Sequence, residues 1–247
     1  MDYNKLQNLS YSQLKELTRI LELPLKRNKN DIINSIIPCF QEWEEYRKHK
    51  IEHWQYIKQL GEKGKEGTTF LVKTDKFSSK ETYYAMKTFN KKKSPQKLLL
   101  EATLQQKASE VGVAPQVVDI DPISKTITMQ CMDKHLWHML MKTRQLSTNQ
   151  QRQIISIYKK LDKINIFHGD ANLMNYMYQG KKLYMIDFGM SREINTTLIK
   201  KLGTKTPNLT IMTLGLILKL KKMQFNPNSW EYLKQFLTTE QKLQFSL

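Results

Sequence analysis

The sequence predicts an α+β fold in which a small sheet-rich lobe precedes a helical lobe. Between residues 54 and 132, "TTFLVKT", "TYYAMKTF" and "TITMQCM" combine β-branched and aromatic residues, with glycine or charged turns between them, which is typical of short strands. Residues 133–247 are predicted to be mostly helical, with two short strands among the helices. Strands that come first, with helices after them, indicate an α+β arrangement.

Residues 1–40 are predicted to form a small helical module before these lobes. Leucine and isoleucine recur near helical spacing from Leu6 to Ile20. The pattern breaks at Pro24, and "DIINSIIPCF" begins a second short helix with an aspartate near its N-terminus. "QEWEEYRKHKIEHW" favours a helix over residues 41–53 that connects the module to the sheet-rich lobe.

Local signals delimit the later elements. "SPQKLLLEATLQQKASEVG" predicts a helix that opens at Ser94 and Pro95 and closes at Gly112, because proline suits the first helical position and glycine suits a helix end. "PQVVDID" and "TITMQCM" predict two strands around the turn "DPISK". "LMNYMYQ" and "KLYMID" predict two more short strands within the helical lobe.

The chain is strongly basic. Its 247 residues include 40 lysines and arginines against 23 acidic residues, a net charge of +17. Residues 51–247 hold 31 of the basic and 16 of the acidic residues, so the excess lies mainly outside the N-terminal module. Such an excess indicates an anionic partner, either nucleic acid, a nucleotide or an acidic protein, or else a generally lysine-rich surface.

Cysteine usage and hydropathy favour a soluble intracellular protein without membrane insertion. Cys39 and Cys131 are too few for a disulfide framework and indicate a reducing compartment. The N-terminus is polar, unlike a signal peptide. The run "IMTLGLIL" is too short to span a bilayer.

Three glycines, Gly61, Gly64 and Gly67, lie between two predicted strands in "LGEKGKEGTTFLV". Glycine lets backbone N–H groups approach a polyphosphate closely, so the stretch is a candidate phosphate-binding loop. Taken alone, an ordinary hairpin turn explains such a cluster as well.

Two charged residues lie within apolar segments and are candidates for pairing. Lys87 is inside the strand "YYAMKTF", where a lysine either extends out at a strand edge or needs a buried anion. Glu101 lies among leucines in "LLLEATLQQ" and also needs a partner, unless the helix turns it to the surface. Pairing the two satisfies both charges and directs the ammonium at phosphate oxygens.

Two acids and an amide follow in "HGDANLMNYMYQGKKLYMIDFG": Asp170, Asn175 and Asp187. Phosphoryl transfer needs a metal that neutralises phosphate oxygens and a carboxylate that orients the attacking hydroxyl. Asp187 and Asn175 offer the hard oxygen ligands that Mg²⁺ prefers, and Asp170 would accept the hydroxyl proton. Gly189 allows a sharp backbone turn after the metal ligand.

The chain resembles the protein-kinase-like superfamily over roughly residues 54–220. "HGDANLMN" is similar to the catalytic-loop pattern H-x-D-x-x-x-x-N, "IDFG" matches the metal-binding D-F-G, and "AMK" resembles V-A-I-K. The resemblance implies a bilobal fold, with a small antiparallel-sheet N-lobe at 54–132 and a reduced helical C-lobe at 133–247. It also implies that the protein uses ATP and Mg²⁺ as cofactors. The catalytic set that it implies is Lys87, Glu101 and Asp170, with Asn175 and Asp187 as metal ligands.

The same resemblance implies the nucleotide contacts. It makes Gly61, Gly64 and Gly67 the loop that covers the nucleotide, and it directs Lys87 at the phosphates. The adenine pocket that it implies is formed by Val72 and Ala85, by Met129 at the gatekeeper position, and by the backbone of Gln130 and Met132.

Several positions depart from the usual protein-kinase pattern. Gly169 replaces the arginine of H-R-D, which argues against control by a phosphorylated activation loop. Asn172 stands where these kinases carry the lysine that steadies the transferring phosphoryl group, and Thr210 in "TIMTLGLIL" stands where they carry an aspartate. The H-G-D sequence and the short C-lobe are closer to atypical kinases: the small kinase of the tRNA-modifying KEOPS complex, the RIO kinases, aminoglycoside and choline phosphotransferases, and compact kinases of large DNA viruses.

The N-terminal stretch "LQNLSYSQLKELTRILELPLKRNKNDIINSII" resembles a SAP module, a two-helix DNA-binding unit. Lys29, Asp31, Ile32 and Ile33 fit the end of the SAP pattern, whereas Arg27 replaces its usual glycine. The resemblance implies DNA binding by this module, and the alternative is a helical brace for the small lobe.

We therefore expect an ATP- and Mg²⁺-dependent phosphotransferase, similar to serine/threonine protein kinases, that transfers the γ-phosphoryl group to a hydroxyl on a protein. One alternative is a small-molecule acceptor, as in the aminoglycoside and choline phosphotransferases. Another is a catalytically weak scaffold that binds a protein partner, or nucleic acid through the SAP-like module or a basic surface such as "LKLKKMQF". The expected location is the cytoplasm or nucleus of the host if the chain is viral.

Overall fold

The computed structural model describes residues 6–8, 10–20, 23–37, 54–74, 82–122 and 124–247, and it is an α+β structure as the sequence predicts. It divides into two compact units, the first formed by Met1–Gln59 and Phe70–Tyr83 and the second by Leu60–Thr69 and Tyr84–Leu247. Cys39 and the connecting helix predicted for 41–53 lie outside the described residues. The domain boundaries expected after residues 40, 53 and 132 therefore stay predictions.

Two helices form a small apolar core in the first unit. They are α1 (Tyr11–Ile20) and α2 (residues 29–37). The side chains that this core buries completely are Leu6, Leu14, Ile32, Ile33 and Ile36. The Tyr11 hydroxyl donates to the carbonyl of Arg27 over 3.0 Å and ties α1 to the turn before α2.

Five strands form one antiparallel sheet. They are β1 (Gln55–Leu60), β2 (Gly67–Thr74), β3 (Thr82–Phe89), β4 (Val117–Asp121) and β5 (Thr126–Gln130), in the order β1-β2-β3-β5-β4. In the β3–β5 pair, Lys87 lies opposite Ile127. The β-branched and aromatic residues of these segments favour strands because they pack well on a pleated surface, and the strands predicted around "DPISK" are confirmed.

Helix α3 (Pro95–Glu110) begins where the sequence predicts. The Ser94 hydroxyl accepts a hydrogen bond from the N–H of Lys97, and Pro95 takes the first turn, where its missing N–H costs nothing. Gly112 adopts a φ of +71° just beyond the helix, a conformation that glycine reaches without strain.

The remainder of the second unit is mainly helical. Its helices are α4 (Leu136–Thr143), α5 (Thr148–Lys163), α6 (Thr196–Leu202), α7 (Thr213–Lys222) and α8 (Thr239–Gln244). Its short strands are β6 (Lys134–His135), β7 (Ile166–Phe167), β8 (Tyr176–Gln179), β9 (Lys182–Met185) and β10 (Arg192–Glu193), which pair as β6-β8-β9 and β7-β10. Short 3₁₀ or π-helical turns lie at Leu173–Asn175, Phe188–Met190, Asn208–Met212, Pro227–Trp230 and Leu233–Phe236. In the part of the chain that the structure describes, no helix has both the length and the apolarity needed to cross a membrane.

The main core of the second unit involves α5, α7 and the β8–β9 hairpin. Its completely buried side chains include Tyr158, Leu161, Tyr176, Leu216 and Ile217. The hydroxyls of Tyr158 and Tyr176 hydrogen-bond to each other, so the polar ends of both rings are satisfied inside the core. Helix α5 packs against β9, so this core supports the hairpin.

The β8–β9 hairpin brings distant site residues together. Tyr176 lies opposite Met185, and the N–H of Ile186 donates to the carbonyl of Asn175 over 2.9 Å. Asn175, just before β8, and Asp187, two residues after β9, therefore lie at the same end of the hairpin. The two strands predicted from "LMNYMYQ" and "KLYMID" are confirmed.

Candidate active site

Lys87 on β3 is held between two acids. Its Nζ lies 2.8 Å from Oε1 of Glu101 on α3 and 2.8 Å from Oδ1 of Asp187. The side chain of Glu101 is 2% exposed and that of Lys87 is 15% exposed. Burial works against the charged ammonium, but the two carboxylates outweigh it and raise the pKa of Lys87. The structure thus contains the predicted Lys87–Glu101 pair and adds Asp187 to it.

Asp187 has an uncommon backbone conformation. Its φ of +64° and ψ of +73° are left-handed, which is rare for a residue other than glycine. Strain of this kind clusters at functional sites, where the surrounding structure holds the residue in place. Burial alone would raise the pKa of Asp187, but Lys87 outweighs burial and lowers it. The side chain is half exposed, so a charged carboxylate reaches the solvent.

Asp170 and Asn175 contact each other directly. Nδ2 of Asn175 donates to Oδ2 of Asp170 over 2.9 Å. Nζ of Lys219, on α7, lies 3.3 Å from the other carboxylate oxygen of Asp170. Asn175 is buried, whereas the side chain of Asp170 is 30% exposed. Asp170 therefore faces the solvent between an amide and an ammonium group.

Asn208 fixes the backbone that leads to Asp170. It is completely buried, and its Oδ1 accepts from the N–H of His168 over 2.9 Å. Its Nδ2 donates over 2.7 Å both to Oδ1 of Asp162 on α5 and to the carbonyl of Ile166. Burial raises the pKa of Asp162, although its hydrogen bonds oppose that shift. No sequence motif predicts this role of Asn208.

His168 is buried in a neutral form that its contacts define. Its Nε2 donates to the carbonyl of Ile186 over 3.1 Å, and its Nδ1 accepts from the N–H of Asp170 over 3.4 Å. The ring packs edge-on against Phe188, with 4.9 Å between ring centres. Burial outweighs the favourable contacts of the charged form and lowers the pKa of His168.

We expect the free energy of unfolding to fall as the pH drops below about 6.5, the ordinary pKa of histidine. In the unfolded chain His168 takes up a proton near that pH, whereas in the fold it does so only at lower pH, so protons favour unfolding. Urea unfolding of the parent and of His168→Gln between about pH 7 and pH 5 measures this difference. The variant should lose less stability over that range, and parallel pH profiles would contradict the prediction.

No protein-family model matches the chain, and no curated protein matches it significantly.

The glycine-rich segment forms a tight turn beside β3. The N–H of Gly64 donates to the carbonyl of Gly67 over 2.9 Å. Gly67 passes so close to β3 that a Cβ there would lie 2.1 Å from the carbonyl oxygen of Thr88, so a side chain is excluded. Gly61 has a φ of +70° and open space around it. Of the three predicted loop glycines, Gly67 is thus required by packing.

Lys93 connects this turn to α3. Its Nζ lies 2.9 Å from Oε2 of Glu66 in the turn and 2.8 Å from Oε2 of Glu101. Carboxylate oxygens of Glu66, Glu101 and Asp187 all lie within 4.8 Å of one another. Lys87 and Lys93 therefore balance two of the three negative charges. Lys93 and Glu66 are not predicted from the sequence.

A cavity of about 360 Å³ lies beside this charged network. It is lined by Glu66 of the glycine-rich turn, by residues 90–93 between β3 and α3, by the first half of α3, and by residues 188–191. The residues predicted for an adenine pocket are not among its lining residues in the described structure.

The residues predicted to bind adenine are mainly buried or half-buried. Val72 on β2 is completely buried, and Ala85 on β3 lies opposite Met129 on β5. Met129 packs against an apolar cluster formed by residues of α3, β3 and β5. The N–H of Gln130 donates to a carbonyl just before β4 over 2.9 Å, and Met132 is buried. Any contact from Gln130 to a base must therefore use another atom.

The donor set fits a hard divalent cation. The carboxylate of Asp187 and the side-chain oxygen of Asn175 are ligand types that Mg²⁺ prefers. A Cβ at Gly189 would lie 3.0 Å from Oε2 of Glu66 and 3.3 Å from Oδ1 of Asp187, so a side chain there would crowd the carboxylates. Lys87 adds a largely buried ammonium group, which in this structure pairs with Glu101 and Asp187.

Proposed function

We propose that the protein is an ATP- and Mg²⁺-dependent phosphotransferase with a bilobal kinase-like fold, which transfers the γ-phosphoryl group to a hydroxyl of a protein. The observation that carries the proposal is the 2.8 Å pairing of Lys87 with both Glu101 and Asp187. Desolvating charges is costly, so a buried ion-pair network is a weak device for stability alone. Phosphoryl transfer gives each of these charges a role.

Each polar residue of the site has a part in this chemistry. Lys87 would bind phosphate oxygens, and Glu101 holds its ammonium in place. Asp187 and Asn175 would hold Mg²⁺, which when bound neutralises charge on the phosphate oxygens. Asp170 would orient the acceptor hydroxyl and take up its proton, which its exposed carboxylate permits.

The proposal predicts that Asp187→Asn lowers phosphoryl transfer by at least about 10²-fold, because a neutral amide holds Mg²⁺ less well and no longer pairs with Lys87. Purified protein is incubated with γ-labelled ATP, Mg²⁺ and acceptors. Mg²⁺-dependent ATP binding is measured in parallel by calorimetry. Both signals should be strong in the parent and weak in the variant.

Glu193→Gln is the matched control, because Glu193 is an exposed acid six residues further along the same segment and its carboxylate forms a surface ion pair with Lys107. It should leave transfer and ATP binding unchanged. Label transfer that survives in Asp187→Asn, or a parent that binds no ATP even in excess Mg²⁺, would overturn the proposal.

The choice of acceptors separates the remaining alternatives. The protein itself and a set of acidic and basic proteins test protein hydroxyls, and aminoglycosides and choline test small-molecule hydroxyls. A scaffold would show no transfer to any of them. Retention of DNA or RNA that needs no nucleotide and falls steeply with salt would favour the scaffold.

A further inference from the structure

Lys219 contacts Asp170 although the two residues are 49 positions apart. Its Nζ lies 3.3 Å from Oδ1 of Asp170, and the side chains of both are partly exposed, at 45% and 30%. Exposed ion pairs contribute little to stability. Stability is therefore a weak reason for an ammonium group at this place.

Helix α7 aims Lys219 at the segment that contains Asp170. A Cβ at Gly215 would lie 3.4 Å from Cβ of Ala171, so the helix passes close to the residue after Asp170. Lys219 is one turn further along the same face. Leu216 and Leu220 are completely buried, and this packing fixes the rotation of the helix.

The segment itself carries no positive charge. Residues 168–175 contain neither lysine nor arginine. Asn172 stands where the resemblance to protein kinases places a lysine, but its side chain accepts from the N–H of Met174 over 3.2 Å and caps the short helical turn there. A positive charge beside Asp170 therefore comes from another element of the fold, here from Lys219 on α7.

We propose that Lys219 is a catalytic residue, whose ammonium stabilises the transferring phosphoryl group and takes the place of the lysine absent at position 172. The inference rests on the proposed function. A hydroxyl that Asp170 orients lies next to the phosphorus that it attacks, so a cation 3.3 Å from the same carboxylate is close to the charge that develops during transfer.

The reaction that Lys219 assists is balanced without a further reagent. The acceptor oxygen forms a bond to the γ-phosphorus, and the bond between that phosphorus and the β–γ bridging oxygen breaks. ADP leaves with the electron pair, and the proton of the acceptor hydroxyl passes to the Asp170 carboxylate. The ammonium of Lys219 keeps its protons and acts only through its charge.

Binding of ADP with Mg²⁺ and aluminium fluoride tests this role apart from turnover, because the fluoride complex takes the place of the transferring phosphoryl group. Lys219→Met should weaken binding of the ADP–aluminium fluoride complex by about 10²-fold and leave binding of ADP alone unchanged. ATP hydrolysis, with water as the acceptor, should lose a similar factor in kcat with little change in KM. Lys219→Arg should restore part of both.

Two controls make the result specific. Lys222→Met removes an exposed lysine one turn further along α7 and should change nothing. In an Asp170→Asn background, Lys219→Met should still weaken binding of the fluoride complex, whereas a lysine that only positions Asp170 would have no further effect. Unchanged binding of the complex by Lys219→Met overturns this inference alone, whereas a parent that binds neither ADP nor ATP with Mg²⁺ overturns the proposed function.

Discussion

Glu101→Ala is expected to lower the free energy of unfolding by about 3–5 kcal/mol, the usual cost of removing one partner from a buried ion pair. Glu101 is 2% exposed, and its two oxygens accept one bond each from Lys87 and Lys93, whose side chains are 15% and 7% exposed. The variant leaves two desolvated ammonium groups with one acid fewer between them. Thermal unfolding should show a drop of roughly 6–20 °C in Tm for a chain of this size.

Glu110→Ala is the control for this prediction. Glu110 is an exposed acid at the end of the same helix, α3. Its removal should change the free energy of unfolding by no more than a typical surface substitution does, within about 0.5 kcal/mol, and so leave Tm nearly unchanged. Equal Tm values for Glu101→Ala and Glu110→Ala would show that the lysines do not depend on Glu101.

Asn208→Leu is expected to cost about 3–5 kcal/mol and to lower activity as well. It leaves the N–H of His168 and the carbonyl of Ile166 without these partners inside the core, and it removes one of the hydrogen bonds to the carboxylate of Asp162. It also releases the backbone two residues before Asp170. Chemical denaturation measures the first effect, and phosphoryl transfer per folded molecule measures the second.

Thr210→Ala compares two positions in the same turn. Protein kinases carry an aspartate at the position of Thr210, whereas in this structure Asn208 makes the buried hydrogen bonds. The Thr210 hydroxyl donates to the carbonyl of Thr206 over 2.9 Å. Loss of that bond should cost about 1 kcal/mol, which is typical of a single hydrogen bond. If Thr210→Ala lowered the free energy of unfolding and the activity as much as Asn208→Leu does, the backbone before Asp170 would not depend mainly on Asn208.

Local chemistry explains why parts of the fold are predictable from the sequence. Ser94 and Pro95 define the start of α3 by capping, and capping involves only neighbouring residues. The pairing of Lys87 with Glu101 is also predictable, because each is a charge inside an apolar segment, and such charges need partners.

The missed residues depend on relations that the sequence does not encode locally. Lys93 is the last of three consecutive lysines, and nothing in that run distinguishes the buried one from its exposed neighbours. Lys219 lies in "LKLKKMQF", where contact with Asp170 depends on the rotation of α7, which the core fixes. Asn208 and Thr210 are both polar residues of the π-helical turn at Asn208–Met212, and no local pattern shows which of the two makes the buried contacts.

At position 187, the left-handed backbone favours glycine, whereas the proposed chemistry requires a carboxylate. A left-handed non-glycine residue costs roughly 1–2 kcal/mol, which glycine would not incur. Glycine at position 187 would relax the main chain, but it would also remove the carboxylate that pairs over 2.8 Å with the largely buried ammonium of Lys87. Selection for heat tolerance alone would act on these two effects and not on the proposed contact of the carboxylate with Mg²⁺, so only a screen for activity would select directly for that contact.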